Sequence, residues 1–143
     1  MNHLATSKED ILAASRDLIK ENGWAAVSIR AVASRCSVSA GTIYNYYESK
    51  ADLLSDTIES IWHEIFFHPE AEQVFHDVES CISWIYERLE YGNSQFPGFF
   101  SLHSFGFMRD EKTSGKKKMM QTWGHILNGL CEVLENDPKV RLD

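Results

Sequence analysis

Residues 37–50 read SVSAGTIYNYYESK, which sets serines, a threonine, an asparagine, a glycine and three tyrosines within about two helical turns and leaves little aliphatic bulk. A helix enclosed on all sides has no use for so many hydrogen-bonding groups, because each one buried without a partner costs free energy. The stretch therefore faces something polar. Ala40, Ile43 and Tyr47, spaced three and four apart, turn one side toward a core and leave Gly41, Thr42, Tyr44, Asn45 and Tyr46 largely outward. Ser49 with Asp52 three residues on then reads as the cap of a further helix.

Immediately before it, Ser28 to Cys36 reads as a short helix capped by Ser28, with Ile29, Val32, Ala33 and Cys36 inward. Two short helices joined at CSVS fit the helix-turn-helix pattern, Ala33 being small where the second helix crosses. Hydroxyls and amides on the outward face suit a nucleic acid, since such groups read base edges in the major groove and donate to phosphates.

The rest of the chain is read as all-α. A first helix spans Ser7 to Asn22, opened by Ser7 and Asp10, stopped by Gly23, with Ile11, Leu12, Ser15, Leu18 and Ile19 on one face. The helix opened by Ser49 runs to Phe67, about 28 Å at ~1.5 Å per residue, long enough to join two bodies. Apolar residues at 71, 74, 75, 78, 81, 82, 85 and 89 make a helical stripe between Pro69 and Tyr91. GNSQFPG at 92–98 reads as a loop, Phe99 to Arg109 as a helix, and Lys116 to Glu135 as a final helix. In that last helix Met120, Trp123, Ile126, Leu127, Leu130, Val133 and Leu134 are expected inward. The division is a head at residues 1–48 and a helical body at 49–143.

Composition narrows the function. With 143 residues and 43% apolar content the chain can bury a core. It contains no run of roughly 18 to 20 apolar residues, and MNHLATSKED has no signal-peptide pattern, so a cytoplasmic protein is expected. Cys36, Cys81 and Cys131 have no metal or disulfide spacing and read as buried free thiols. A net charge of −7 argues against a general polyanion binder. Its distribution is uneven, +1 over residues 1–50 and −8 over the remainder, so any phosphate is met by the first third.

SIRAVASRCSVSAGTIYNYYESKADLL, residues 28–54, resembles the N-terminal domain of the TetR/AcrR family of transcriptional regulators, and ILAASRDLIKENGWAAVSI fits as well. The resemblance covers about residues 8–55; beyond that only the order of helices is similar. It implies a homodimer whose recognition helices enter successive major grooves of an inverted-repeat operator in double-stranded DNA, with a long helix leading to a ligand-binding body. Carried over by position, Arg30, Ala40, Gly41 and Tyr44 would face bases, and Ser28, Thr42, Asn45, Tyr46 and Lys50 would face phosphate. Lys50 lies in the first turn of a helix, a poor place for a cation unless a phosphate is near.

Two departures from the family pattern stand out. Ser37 occupies a turn position where the family usually has glycine and where positive φ is expected, at a cost of about 1 kcal/mol. The family's body also continues with two more helices that build its dimer interface, whereas this sequence ends at NDPKVRLD. Either the chain is truncated or its dimer is unusual; a truncated body is expected to expose apolar surface on the last helix and to show poor solubility or non-native association.

In the body, a dense run of large rings between Trp62 and Trp123, with Met108, Met119 and Met120, exceeds what a small helical core needs. Trp62, Phe66, Phe100, His103, Phe107 and Trp123 are the candidate lining of a cavity for a small apolar or aromatic effector. His63 and His68 in HEIFFH are five apart, about 140° around a helix, which disfavours zinc. No nucleophile with a base, no metal site and no cofactor motif is read. The sequence thus suggests a regulator, most simply a repressor released by its effector, the alternative being an interaction protein or constitutive module that keeps the head fold.

Overall fold

The computed structural model describes residues 6–67, 76–100 and 114–140, and every element of regular structure among them is helical. The helices are α1 (Lys8–Asn22), α2 (Ile29–Arg35), α3 (Ala40–Tyr44), α4 (Lys50–Phe66), α5 (Val78–Gln95) and α6 (Ser114–Asn136), with a 3-10 turn at Trp24–Ala26. No described helix is long and apolar enough to cross a membrane.

Four serines open the first four helices in the same way. Ser7, Ser28, Ser39 and Ser49 each accept from the backbone N–H three residues on, at Asp10, Ala31, Thr42 and Asp52. Such caps contribute about 1 kcal/mol each, which matters most for α2 and α3, both too short to persist alone. Gly23, at φ 85°, ends α1 by donating to the Ile19 carbonyl at 2.8 Å.

Ser37 closes α2 at φ 57°. The Val38 N–H returns to the Ala33 carbonyl at 2.9 Å and the Ser37 N–H to Ser34 at 3.1 Å, the paired bonds of a Schellman stop. The expected positive φ is therefore real. Serine holds the left-handed position that glycine fills without a Cβ penalty.

One apolar cluster of buried residues runs from the head into the body. Ile11, Ala14, Ser15 and Ile19 of α1 and Ile29, Val32 and Ala33 of α2 are buried, with Ile43 and Tyr47 closing over them. The buried positions of α4, namely Leu53, Leu54, Thr57, Ile58, Ile61, Trp62, Ile65 and Phe66, take up more than one side of that helix. It is thus packed against α1 and against α5 and α6. The buried Thr57 hydroxyl donates to the Leu53 carbonyl at 2.7 Å and lies 2.9 Å from Ser15 Oγ, which satisfies both polar groups inside the seam.

Several expectations need correction. α3 is a single helical turn of five residues, shorter than Ser39 to Tyr47, although the N–H groups of Tyr46 and Tyr47 still return to the Ile43 carbonyl at 2.9 and 3.0 Å. α5 continues through Gln95, so the first part of GNSQFPG is helix. Gly92 is there for close approach: a Cβ would lie 2.7 Å from Ile65 Cδ1 and 2.9 Å from Phe100 Cε2. The expected start of α5 at Pro69 and most of the expected Phe99–Arg109 helix fall outside the described residues; Phe99 and Phe100 lie in a turn.

Burial also departs from the simple stripes. Ile82, Met120 and Leu127 were expected inward and are exposed, Met120 at 62% and Leu127 at 56%, because α5 and α6 each have a flank with no described neighbour. Of the cysteines, Cys81 is buried, Cys36 half-buried and Cys131 exposed, so the expectation of three buried thiols holds only for the first of these.

Candidate functional site

The head presents α3 on a fixed base. Ile43 is fully buried and Tyr47 nearly so, while Ala40, Gly41, Tyr44 and Asn45 are exposed, Tyr44 at 53%. Ala40 therefore does not turn inward as the spacing argument had it; one helical turn rotates it to the open side with Gly41 and Tyr44.

Gly41 has no internal reason to be glycine. A Cβ there would meet only Ser39 Oγ, at an ordinary 3.7 Å, and the backbone is helical. Glycine within a helix costs about 1 kcal/mol relative to alanine. The cost is understandable if another molecule must approach the backbone closely at this point.

The hydroxyls divide into engaged and available groups. Thr42 is half-buried, with Oγ1 3.1 Å from Ser39 Oγ. Ser28 Oγ accepts from the Ala31 N–H at 3.0 Å, which leaves its own O–H free to donate outward. Tyr46 is exposed along its ring, but its hydroxyl donates to the Thr6 carbonyl at 2.9 Å. That phenol is thus tied to the segment before α1 and offers a phosphate only its oxygen, which cannot donate while so engaged. Ser39, exposed beside Gly41, is a polar group of this face that the sequence reading did not single out.

Cations sort in the same manner. Arg30 and Lys50 are exposed and have no acidic partner among the described residues. Arg35 forms a fork with Glu21, both N–O distances being 2.7 Å, and this pairing holds the Glu21 carboxyl below the usual range. Of the six cations in residues 1–50, Lys8, Arg16, Lys20 and Arg35 are answered within the chain, and Arg30 and Lys50 have no acidic partner among the described residues.

In the body, four of the six candidate lining residues come together. Trp62 has ring centroids 5.6 Å from Phe66, 5.8 Å from Phe100 and 6.0 Å from Trp123, and Phe66 lies 5.6 Å from Trp123. His103 and Phe107 lie outside the described residues, as does His68. Phe99 joins the cluster at 5.0 Å from Trp62 and stacks on Trp24 of the head at 6.0 Å. The Trp24 indole N–H donates to the Pro97 carbonyl at 3.2 Å, and Lys20 Nζ sits 5.0 Å above the Phe96 ring. The sequence reading missed this seam; a lone tryptophan directly after the helix-stopping Gly23 was the available signal.

A second tie crosses the same boundary. Glu64 of α4 receives Lys20 at 3.3 Å and Arg16 at 3.6 Å from α1, and the Tyr91 hydroxyl of α5 at 3.3 Å. One carboxylate thus connects three helices.

Comparison with known proteins bears on the head alone. Residues 11–57 match the family model of bacterial regulatory proteins, tetR family. The chain is 38% identical over 48 residues to the HTH-type transcriptional regulator UidR of Escherichia coli K12, and 45% identical over 47 residues to the HTH-type transcriptional repressor KstR of Rhodococcus jostii. These stretches are 34% and 33% of this chain and 24% and 22% of those relatives, so the match spans about a quarter of their length.

Proposed function

We propose that this chain, whose residues 11–57 match the family model of bacterial regulatory proteins, tetR family, binds double-stranded DNA in the cytoplasm and is a repressor released by a small effector. The observation that carries the DNA reading is the face of α3: Ala40, Gly41, Tyr44 and Asn45 exposed on a turn anchored by Ile43 and Tyr47, with a glycine that packing does not require. Arg30, Ala40, Gly41 and Tyr44 reach base edges, and Ser28, Thr42, Asn45 and Lys50 take phosphates, with Tyr46 holding the chain before α1 in place.

The working unit in this proposal is a homodimer on an inverted repeat, its heads ~34 to 36 Å apart so that both enter successive major grooves. Exposed Met120 and Leu127 on α6, one heptad apart, and Ile82 and Tyr86 on α5 supply apolar surface suited to a second copy. An effector against Trp62, Phe66, Phe100 and Trp123 favours one tilt of α4 over another. The tilt reaches the head through Tyr47 and Asp56, through Glu64, and through the Trp24–Phe99 stack.

Selection of bound sequences from a random DNA pool tests this directly. An inverted repeat with half-sites about one helical turn apart is expected. Enrichment of no sequence would sink the DNA reading, and a single unrepeated half-site would sink the dimer.

A further inference from the structure

Trp62 lies at the centre of the body cluster, only 2% exposed, and its indole N–H is buried with no hydrogen-bond acceptor among the described residues. Buried donors in native proteins are nearly always satisfied, so a donor left over at the middle of an aromatic cluster marks a place where a partner arrives from outside. The side chains around it are no ordinary acceptors: those of Phe66, Phe99 and Phe100 carry none, that of Trp123 offers only another donor or a ring face, and no backbone carbonyl of the described residues accepts from the indole.

We infer that the effector is a largely apolar carbonyl or ether compound whose oxygen accepts the Trp62 indole hydrogen while its hydrocarbon part packs on Phe66, Phe100 and Trp123. This rests on the effector reading above and sharpens it, because a pure hydrocarbon of the same shape would leave the donor as it is. Specificity follows from chemistry of the site: a buried donor rejects the analogue that lacks the matching acceptor more firmly than an apolar wall rejects a small change in shape. An N–H directed at a ring face is the weaker competing arrangement, and Phe100 and Trp123, inclined at 70° and 72° to Trp62, are the rings that could receive it.

The full chain, labelled with nitrogen-15, is titrated with 1-indanone and, separately, with indane, the same ring system without the carbonyl. Four tryptophan indole signals report, and that of Trp62 is the one lost in Trp62→Phe. The expected result is a downfield movement of the Trp62 signal with 1-indanone only and about tenfold tighter binding than indane, the worth of one neutral hydrogen bond. In Trp62→Phe the two probes should bind alike. Equal binding of both probes to the unaltered chain would overturn the acceptor inference and leave the effector reading standing, whereas binding of neither up to millimolar concentration would overturn both. Should Trp62→Phe not fold, the signal is identified by elimination with Trp24→Phe, Trp84→Phe and Trp123→Phe, and the unaltered chain alone decides.

Discussion

The phenol of Tyr47 donates to Asp56 Oδ2 over 2.6 Å, and Lys8 Nζ lies 3.7 Å from that same oxygen and 5.3 Å above the Tyr47 ring. Three elements meet there: α1, the turn that follows α3, and α4. Burial and then the Asp56 hydrogen bond push the Tyr47 phenol well above its ordinary range. Its protonated form is the one the fold requires.

Tyr47→Phe should lower stability by about 1–2 kcal/mol at pH 7, the cost of one hydrogen bond to a charged acceptor. The sign of the pH dependence follows from the raised phenol. Below the unfolded value near 10, both states keep the proton and the contribution is whole; above it only the unfolded state ionises, so stability falls as pH rises. Urea unfolding at pH 7 and pH 11 should therefore show the gap between the two proteins narrowing at the higher pH. A constant gap would mean that Tyr47 ionises as readily folded as unfolded.

Gly41→Ala separates fold from interface. The added methyl meets only Ser39 Oγ at 3.7 Å, so helix propensity should raise stability by about 0.5–1 kcal/mol. Operator affinity should fall by roughly tenfold or more, because the same methyl enters the space in which the backbone meets base edges. Thermal melts and a binding titration on the selected operator give both numbers, and unchanged affinity would remove Gly41 from the interface.

Lys50 and Tyr44 should fail in different ways. Lys50→Ala would remove the proposed phosphate contact, so affinity should drop alike on all sequences and the slope of log K against log salt should lessen by about 1. Tyr44→Ala should leave that slope alone and relax preference at one operator position by about 1–3 kcal/mol. Salt titrations on the operator and on single-position variants tell the two apart.

Ser37→Gly should stabilise the protein by about 1 kcal/mol, since φ is 57° there and only the Cβ is removed from a strained position. A melt that shifts downward would show that the serine side chain contributes more than its backbone costs.

Leu127→Glu tests association. Leu127 is 56% exposed on α6, so a carboxylate there should leave the fold unharmed and charge the face proposed for a second copy. Light scattering should show the native chain as a dimer or larger and the variant shifted toward monomer; a native chain that is already monomeric would contradict the dimer.

The head was legible in the sequence because its signals are local. The caps Ser7, Ser28 and Ser49, the stop at Gly23 and the apolar side of α2 lie within a few residues of what they control, and the positive φ at Ser37 was expected from the family resemblance, which puts glycine there. What failed was set by distant partners. Gly92 reads as a loop residue until α4 is seen pressing Ile65 against it, and Met120 and Leu127 read as core until their flank of α6 proves open. Ala40 was misdirected by extending helical spacing over nine residues when the helix holds for five. For the body, the grouping of Trp62, Phe66, Phe100 and Trp123 was expected from the density of rings together with the family resemblance, but the Trp24–Phe99 stack joins positions 75 apart in the chain, and the lone tryptophan after Gly23 does not say which ring receives it.

That stack has a practical consequence for anyone exchanging parts between such regulators. A cut after residue 48 looks clean along the chain, yet it would strand Trp24 without the Pro97 oxygen and the Phe99 ring that receive it. If the proposed effector control holds, chimeras joining this head to a foreign body should inherit it only where the new body supplies an equivalent socket for Trp24.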